Sequence, residues 1–228
     1  MIGRTVGVPV AVGIAGLTAV SSAVGLVLTR TAFGRGLVDL DLTIARRLVE
    51  GRSPAVDRWT GASTVLADSL TVAVLWVGAM AVAGWRTRHW RLPLFLLAAI
   101  GGEKLTYLFT SLIVGRARPP VEPLGHVFST KSFPSGHVGS AIALYGGLVL
   151  VAAAWPAARR PAMRLAVGGT VAVMIAVVVA FSRMYRGHHY LTDVVWGALL
   201  GAVWLALARR FVLSAAAPPG SPGWRRRC

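Results

Sequence analysis

Long apolar runs recur six times along the chain, each bounded by a short cluster of arginines, prolines or histidines. A bilayer core of about 30 Å takes about 20 helical residues to cross, so the runs predict six membrane-spanning helices. The first occupies residues 5–29, uncharged between Arg4 and Arg30. It is longer than the roughly 7–15 apolar residues of a signal-peptide core and reads as a retained span. The others fall between residues 58 and 86, between 91 and 116, and over 137–156, 165–181 and 190–212. The last of them requires Arg209 and Arg210 to snorkel at its end. The pattern is therefore that of an all-α, polytopic membrane protein.

Two stretches depart from the pattern. Between the first two spans, residues 30–60 are polar, but Val38, Leu42, Ala45 and Val49 fall on one helical face beside Leu37, Ile44 and Leu48. Such a helix suits either the membrane interface or a packed loop. Residues 214–228 carry Pro218, Pro219, Pro222 and the run Arg225, Arg226, Arg227, the composition of a disordered basic tail that touches anionic lipid. The membrane domain is thus expected over residues 1–213.

Composition changes the picture in one respect. The chain is 55% hydrophobic and only 14% charged, yet carries a net charge of +16. In a soluble protein that excess suggests nucleic acid; here the arginines fall between apolar runs rather than along one stripe, so they read as topology signals and phosphate ligands, with no nucleic-acid partner. The lipid bilayer is the expected partner, and oligomeric state is not legible. The single cysteine, Cys228, allows neither a disulfide framework nor a cysteine metal site.

Three polar clusters stand at the edges of apolar runs: Gly115-Arg116-Ala117-Arg118-Pro119, Ser132-Phe133-Pro134-Ser135-Gly136-His137 and Ser182 to Asp193, which holds Arg183, Arg186, His188 and His189. Charges at such positions are seldom there for packing alone. The first cluster follows span three and the second opens span four, so both lie on one face of the membrane. One span out and one back return the third to the same face. Basic residues divide almost evenly between the two faces, but those on the face without the motifs are concentrated in very short turns, where the positive-inside bias is strongest. Both termini are accordingly expected in the cytoplasm, with the site on the extracytoplasmic side of the cell membrane.

The residue types specify a chemistry. Arginine offers a planar fork of donors for phosphate oxygens, and Pro134-Ser135-Gly136-His137 offers a hydroxyl and exposed backbone N–H groups where a helix begins. The helix N-terminus favours an anion there. His189 and Asp193, four apart on a starting helix, share a face, so the carboxylate can hold one ring nitrogen as N–H and leave the other to attack. His137 is then the proton donor to the leaving group. His188 reads as a structural neighbour. Of Asp68 and Glu103, both expensive in mid-span, one or the other is expected to pair with Lys104, Pro119 and Pro120 to end span three, and Gly101 and Gly102 to permit close helix packing.

These clusters resemble the type 2 phosphatidic acid phosphatase (PAP2) superfamily of membrane lipid phosphatases, whose helical core is similar to that of vanadium haloperoxidases. The family pattern is Lys-x6-Arg-Pro, then Pro-Ser-Gly-His, then Ser-Arg-x5-His-x3-Asp. The second and third parts match at Pro134 to His137 and at Ser182, Arg183, His189 and Asp193. The resemblance implies a phosphohistidine at His189, oriented by Asp193, with His137 protonating the leaving group and Arg118, Ser135, Gly136 and Arg183 holding the non-bridging oxygens. It implies no metal and no cofactor. The substrate it implies is a membrane lipid phosphate, undecaprenyl diphosphate or a phospholipid monophosphate. A phosphotransferase using the same histidine and a non-catalytic lipid-binding or transport protein are the alternatives.

One position departs from the pattern: Ser111 stands where the motif has lysine. Lys104 lies two turns earlier, but helical side chains lean towards the N-terminus, which here is away from the site. Lys131 and Arg116 are the nearer replacements, and Ser111 itself offers one hydroxyl.

Overall fold

The computed structural model describes residues 2–126, 129–155 and 160–213. Helices build it: α1 (Ile2–Arg30), α2 (Ala32–Glu50), α3 (Pro54–Thr64), α4 (Ser69–Thr87), α5 (Arg91–Leu96), α6 (Gly102–Val114), α7 (Gly136–Ala153), α8 (Pro161–Tyr185) and α9 (Leu191–Ala208). Among the described residues, six helical stretches are long and apolar enough to cross a bilayer: Val6–Arg30, Pro54–Thr87, Arg91–Val114, Gly136–Ala153, Pro161–Tyr185 and Leu191–Leu213. They are the six spans expected from the pattern. Outward-facing side chains such as Leu70, Val12 and Val167 are exposed and apolar, as a lipid-facing surface requires. The tail expected to be disordered lies outside the described residues.

The second span is not one helix. Ser53 caps α3 and Pro54 occupies its first turn, where a missing N–H is harmless. A 3-10 turn at Val65–Ala67 then leads to Asp68, whose extended backbone (φ −62°, ψ 147°) ends the helix before α4 starts. The third span is α5 and α6 joined through a π-helical turn at Leu97–Gly101. It ends at Gly115 rather than at the prolines: Gly115 adopts φ 61°, and its N–H closes on the Ser111 carbonyl at 3.1 Å. That left-handed conformation suits glycine and turns the chain before Pro119 is reached.

Helices α7 and α9 are brought together by small residues. A Cβ on Gly197 would run into the carbonyl of Ser135, and one on Gly201 into the carbonyl of Gly139. The glycine pair, four apart on one face of α9, therefore lets two backbones touch where lipid supplies no hydrophobic drive between helices. On the next face Trp204 is fully buried against Gly102 and Gly13, its indole N–H donating to Thr106 Oγ1 at 3.0 Å. Gly102 thus has the packing role its sequence position implied.

Helix α2 packs one face on the bundle and leaves apolar side chains exposed on the other. Gly34, Asp41 and Ala45 are buried on one face, packed towards α1, α8 and α9, while Phe33, Leu37 and Leu40 are exposed on the other. A carboxylate in the middle of the buried face is the feature that pattern alone leaves unexplained.

Candidate active site

The three clusters converge at one end of the bundle. The His137 and His189 rings are neighbours, their centroids 6.4 Å apart and their planes inclined at 59°. The Ser135 N–H donates to the Asp193 carbonyl at 3.0 Å, which locks the entrance of α7 to the first turn of α9. Arg118 reaches across the site, its Nε donating to the Ser129 carbonyl at 2.5 Å and its Nη1 to the carbonyl of His188. Arg183, the penultimate turn of α8, donates from Nη1 to Thr64 Oγ1 at 3.0 Å. Ser182 Oγ holds the Thr60 carbonyl at 2.8 Å and so ties α8 to α3.

His189 does not sit on a helix. Its strand of chain is turned by Gly187 (φ 75°), and α9 begins only at Leu191, with Tyr190 as its cap. The Nδ1 of His189 lies 2.8 Å from the Ser132 carbonyl and 3.7 Å from Asp193 Oδ2. A carbonyl can only accept, so Nδ1 carries the proton and the lone pair is on Nε2. The orienting acceptor in hydrogen-bond contact is thus a backbone oxygen that sequence reasoning missed. The carboxylate stands behind it, because Asp193 is committed elsewhere: Oδ2 accepts the Tyr190 N–H at 2.9 Å and Oδ1 accepts Arg116 at 2.6 Å. Burial pushes His189 below the usual histidine range, opposed by Asp193 and reinforced by Arg118 and Arg183. The ring is therefore neutral at neutral pH.

His188 points away. Its Nε2 donates to the Leu124 carbonyl at 3.1 Å, and burial with Arg183 and Arg118 nearby pushes it down to about 3. It is a buried structural imidazole beside the site.

Two donors inside the cradle have no hydrogen-bond partner among the described residues although both are buried: Ser135 Oγ and Arg183 Nε. Gly136 lies beneath the Tyr107 ring, with no room for a side chain. Buried donors without acceptors carry a desolvation penalty, and an oxyanion between them removes it.

The residues named as possible replacements for the motif lysine are placed otherwise. Ser111 turns its hydroxyl back to the Leu108 carbonyl at 2.9 Å. Arg116 is buried and spends both terminal nitrogens on Asp193, Thr192 and Asp41. Lys131 belongs to an isolated bridge with Ala117. The Nζ of Lys104 lies 5.9 Å from the centre of the Tyr107 ring, the same ring that covers Gly136.

Neither Asp68 nor Glu103 pairs with Lys104 among the described residues. Asp68 Oδ1 stands 3.8 Å from His137 Nε2, and Glu103 Oε2 accepts Ser140 Oγ at 3.1 Å. Both find partners across helices that a linear reading does not juxtapose. Among the described residues no group of three His, Cys, Asp or Glu side chains is gathered as a metal site requires.

Six spans with histidines, arginines and a serine-glycine turn gathered at one end define a polytopic membrane protein with a candidate site there. A sequence model of the PAP2 superfamily matches residues 92–216, and the chain belongs to that superfamily. Phosphatidylglycerophosphatase B of Bacillus subtilis (strain 168) is 32% identical over 120 residues, which is 52% of this chain and 57% of that relative's length. The crystal structure of a transmembrane PAP2-type phosphatidylglycerolphosphate phosphatase from Bacillus subtilis superposes with a TM-score of 0.72 at 26% identity, covering 90% of this chain and 98% of that one. Aquifex aeolicus LpxE shares the fold at a TM-score of 0.56 and 19% identity, over 75% of this chain and 95% of its own.

Proposed function

We propose that the protein is a metal-independent lipid phosphatase acting through a phosphohistidine at His189, on a phospholipid monophosphate of the phosphatidylglycerol phosphate kind. The carrying observation is the pair of buried, partnerless donors, Ser135 Oγ and Arg183 Nε, beside two neighbouring histidines. Phosphate oxygens satisfy those donors together with Arg118 and the N–H groups at the start of α7. The Nε2 lone pair of His189 attacks phosphorus, and the ester P–O bond breaks with its electrons on the departing lipid oxygen, which takes a proton from His137. Water then attacks the phosphohistidine, gives a proton to His137, and the P–N electrons return to Nε2. Asp193, with the Ser132 carbonyl, keeps Nδ1 protonated throughout. The relatives' names support the monophosphate substrate.

A second substrate reading, a polyprenyl diphosphate such as undecaprenyl diphosphate, is favoured by Ser111, whose hydroxyl is turned into its own helix. A cradle with one cation fewer suits a leaving group that needs less charge neutralisation.

The test is phosphate release by the purified full-length chain from phosphatidylglycerol phosphate, phosphatidic acid and undecaprenyl diphosphate, with EDTA and with vanadate. Release that survives chelator, stops with vanadate and is lost by roughly 10⁴-fold in His189→Ala supports the reading. A strict Mg²⁺ requirement, or turnover retained in His189→Ala, overturns it. The proposed orientation puts the site outside the cytoplasm: a reporter active only there works when inserted within residues 120–126 and fails after residue 227. The reverse pattern turns the site inward.

A further inference from the structure

The most completely buried charged cluster in the described residues ties Asp193 to two residues, Arg116 and Asp41, that the reaction above leaves unused. Arg116 is 6% exposed, Asp41 1% and Asp193 0%. Nη1 of Arg116 donates to Asp193 Oδ1 at 2.6 Å and to Thr192 Oγ1 at 2.7 Å, while Nη2 donates to Asp41 Oδ2 at 2.8 Å. Asp41 in turn accepts the Thr192 N–H at 3.1 Å on Oδ1 and the Thr192 hydroxyl on Oδ2. The guanidinium lies 4.0 Å over the Tyr190 ring. Helix α2, the loop that follows α6 and the first turn of α9 meet in this cluster, directly behind His189.

Stability does not account for it. A buried arginine between carboxylates is rarely better than apolar residues of the same volume, and the buried face of α2 is otherwise small or apolar. What the cluster does determine is the disposition of Asp193. With Oδ1 held by Arg116 and Oδ2 accepting the Tyr190 N–H, the carboxylate stands with Oδ2 3.7 Å from His189 Nδ1. Two carboxylates and one guanidinium also leave a single net negative charge beside the imidazole. Phosphorylation at Nε2 with Nδ1 still protonated makes the ring a cation, so that residual charge acts on the intermediate.

We propose that Asp41 and Arg116 form a positioning clamp on Asp193, which fixes the carboxylate towards His189 and sets the net charge beside it. This rests on His189 being the nucleophile. Without Asp41 the cluster is neutral, and the protonated and phosphorylated forms of the ring lose support. Without Arg116 it carries two negative charges, which favour protonation of the ring but leave Asp193 held by the Tyr190 N–H alone. The other charged or titratable groups around His189 are Arg118 from the same loop, Arg183 from α8, His137 from α7 and the adjacent His188 and Tyr190. They are common to every variant compared.

The measurement is the pH profile of kcat/KM for the lipid phosphate turned over fastest in the substrate panel. It is made on full-length Asp41→Asn and Arg116→Gln in detergent, with vanadate inhibition constants alongside. The acid limb is expected to move down by roughly 0.3–1 pH unit in Asp41→Asn and up by a similar amount in Arg116→Gln. In both, kcat falls by about 10–100-fold, while the vanadate constant stays within about threefold of wild type. Arg116→Lys, which keeps the charge and loses the fork, leaves the limb in place with an intermediate kcat. Limbs that move together or not at all, or kcat and vanadate affinity lost in step, overturn the clamp. If size-exclusion elution shows that the two charge variants do not fold, Arg116→Lys and Asp41→Glu decide: a lowered kcat at an unchanged vanadate constant supports the clamp, and an unchanged kcat overturns it. Quenched wild-type enzyme separates the two readings. If it carries no acid-labile, base-stable phosphoryl group, the phosphohistidine reading fails; if it does and the variants behave as wild type, only the clamp fails.

Discussion

The carboxylate of Asp68 stands 3.8 Å from the Nε2 of His137 because the second span is broken at that residue. A continuous helix would carry the side chain of Asp68 in a different direction. The break places a carboxylate beside the imidazole that, in the proposed mechanism, hands a proton to the leaving oxygen. Asp68→Asn is accordingly expected to lower kcat on a phosphate monoester by about 10–100-fold, within the range of general acid catalysis, and by less on a diphosphate. Steady-state kinetics on the two lipids checks this; equal losses on both place Asp68 outside proton transfer.

Lys104 and Ser111 make a second test. Lys104 is a cation within 5.9 Å of the Tyr107 ring that covers Gly136, and Ser111 adds no charge there. Lys104→Met is expected to weaken vanadate inhibition by about threefold to tenfold, a surface-type charge effect of about 1 kcal/mol. Adding Ser111→Lys to that variant is expected to restore it and to raise kcat/KM for phosphatidic acid relative to undecaprenyl diphosphate. A ratio unmoved by Ser111→Lys assigns specificity to the lipid tail.

The buried neutral histidines set an acid limit to the fold. His188 is pushed down to about 3, and His189 lies below its usual range. In the unfolded chain both titrate near 6.5, so below that pH the unfolded state binds more protons and stability falls with pH. Above about 6.5 these groups contribute no pH dependence. Melting temperature in detergent is expected to decline from pH 6.5 towards pH 4, and His188→Gln, which keeps a donor for the Leu124 carbonyl, is expected to flatten the decline. A variant as acid-sensitive as wild type shows that His188 does not cause it.

The contact between α7 and α9 is intolerant of volume. A methyl at Gly197 meets the Ser135 carbonyl, a backbone atom that moves only if the helix moves. Gly197→Ala is expected to destabilise by about 1–3 kcal/mol, as overpacking does. Because Ser135 is the residue displaced, vanadate affinity should fall with it. Gly169→Ala, at a glycine with open space around it, serves as the neutral control.

Much of the site was legible before folding because the three motifs carry their spacing with them. Ser135, Gly136, His137, Arg118, Arg183 and His189 meet at one end of the bundle, as the parity of membrane crossings demands. The misses share a cause. Ser132 acts through its carbonyl, which no side-chain pattern announces. Asp193 does stand beside His189, Oδ2 3.7 Å from Nδ1, but through the turn at Gly187 rather than the helical register that spacing assumes, since α9 starts only at Leu191. Asp41 did leave a signal, a carboxylate at the centre of the apolar face of α2, but its partner lies in a distant loop.

The chain by itself determined that it spans a membrane six times and that its polar clusters share one face. In lipid every backbone hydrogen bond must close within a helix, so the length and number of apolar runs decide the spans, and counting crossings decides the face. Only the tertiary structure decided which acceptor serves each histidine, that Asp68 answers His137, and that Arg116 binds Asp41 and Asp193 rather than facing the cradle. Those are choices among several carboxylates and cations of similar chemistry. They are made by where Gly197 and Gly201 let α7 and α9 touch, where Asp68 and Gly115 stop their helices, and which side chains the resulting packing leaves within reach.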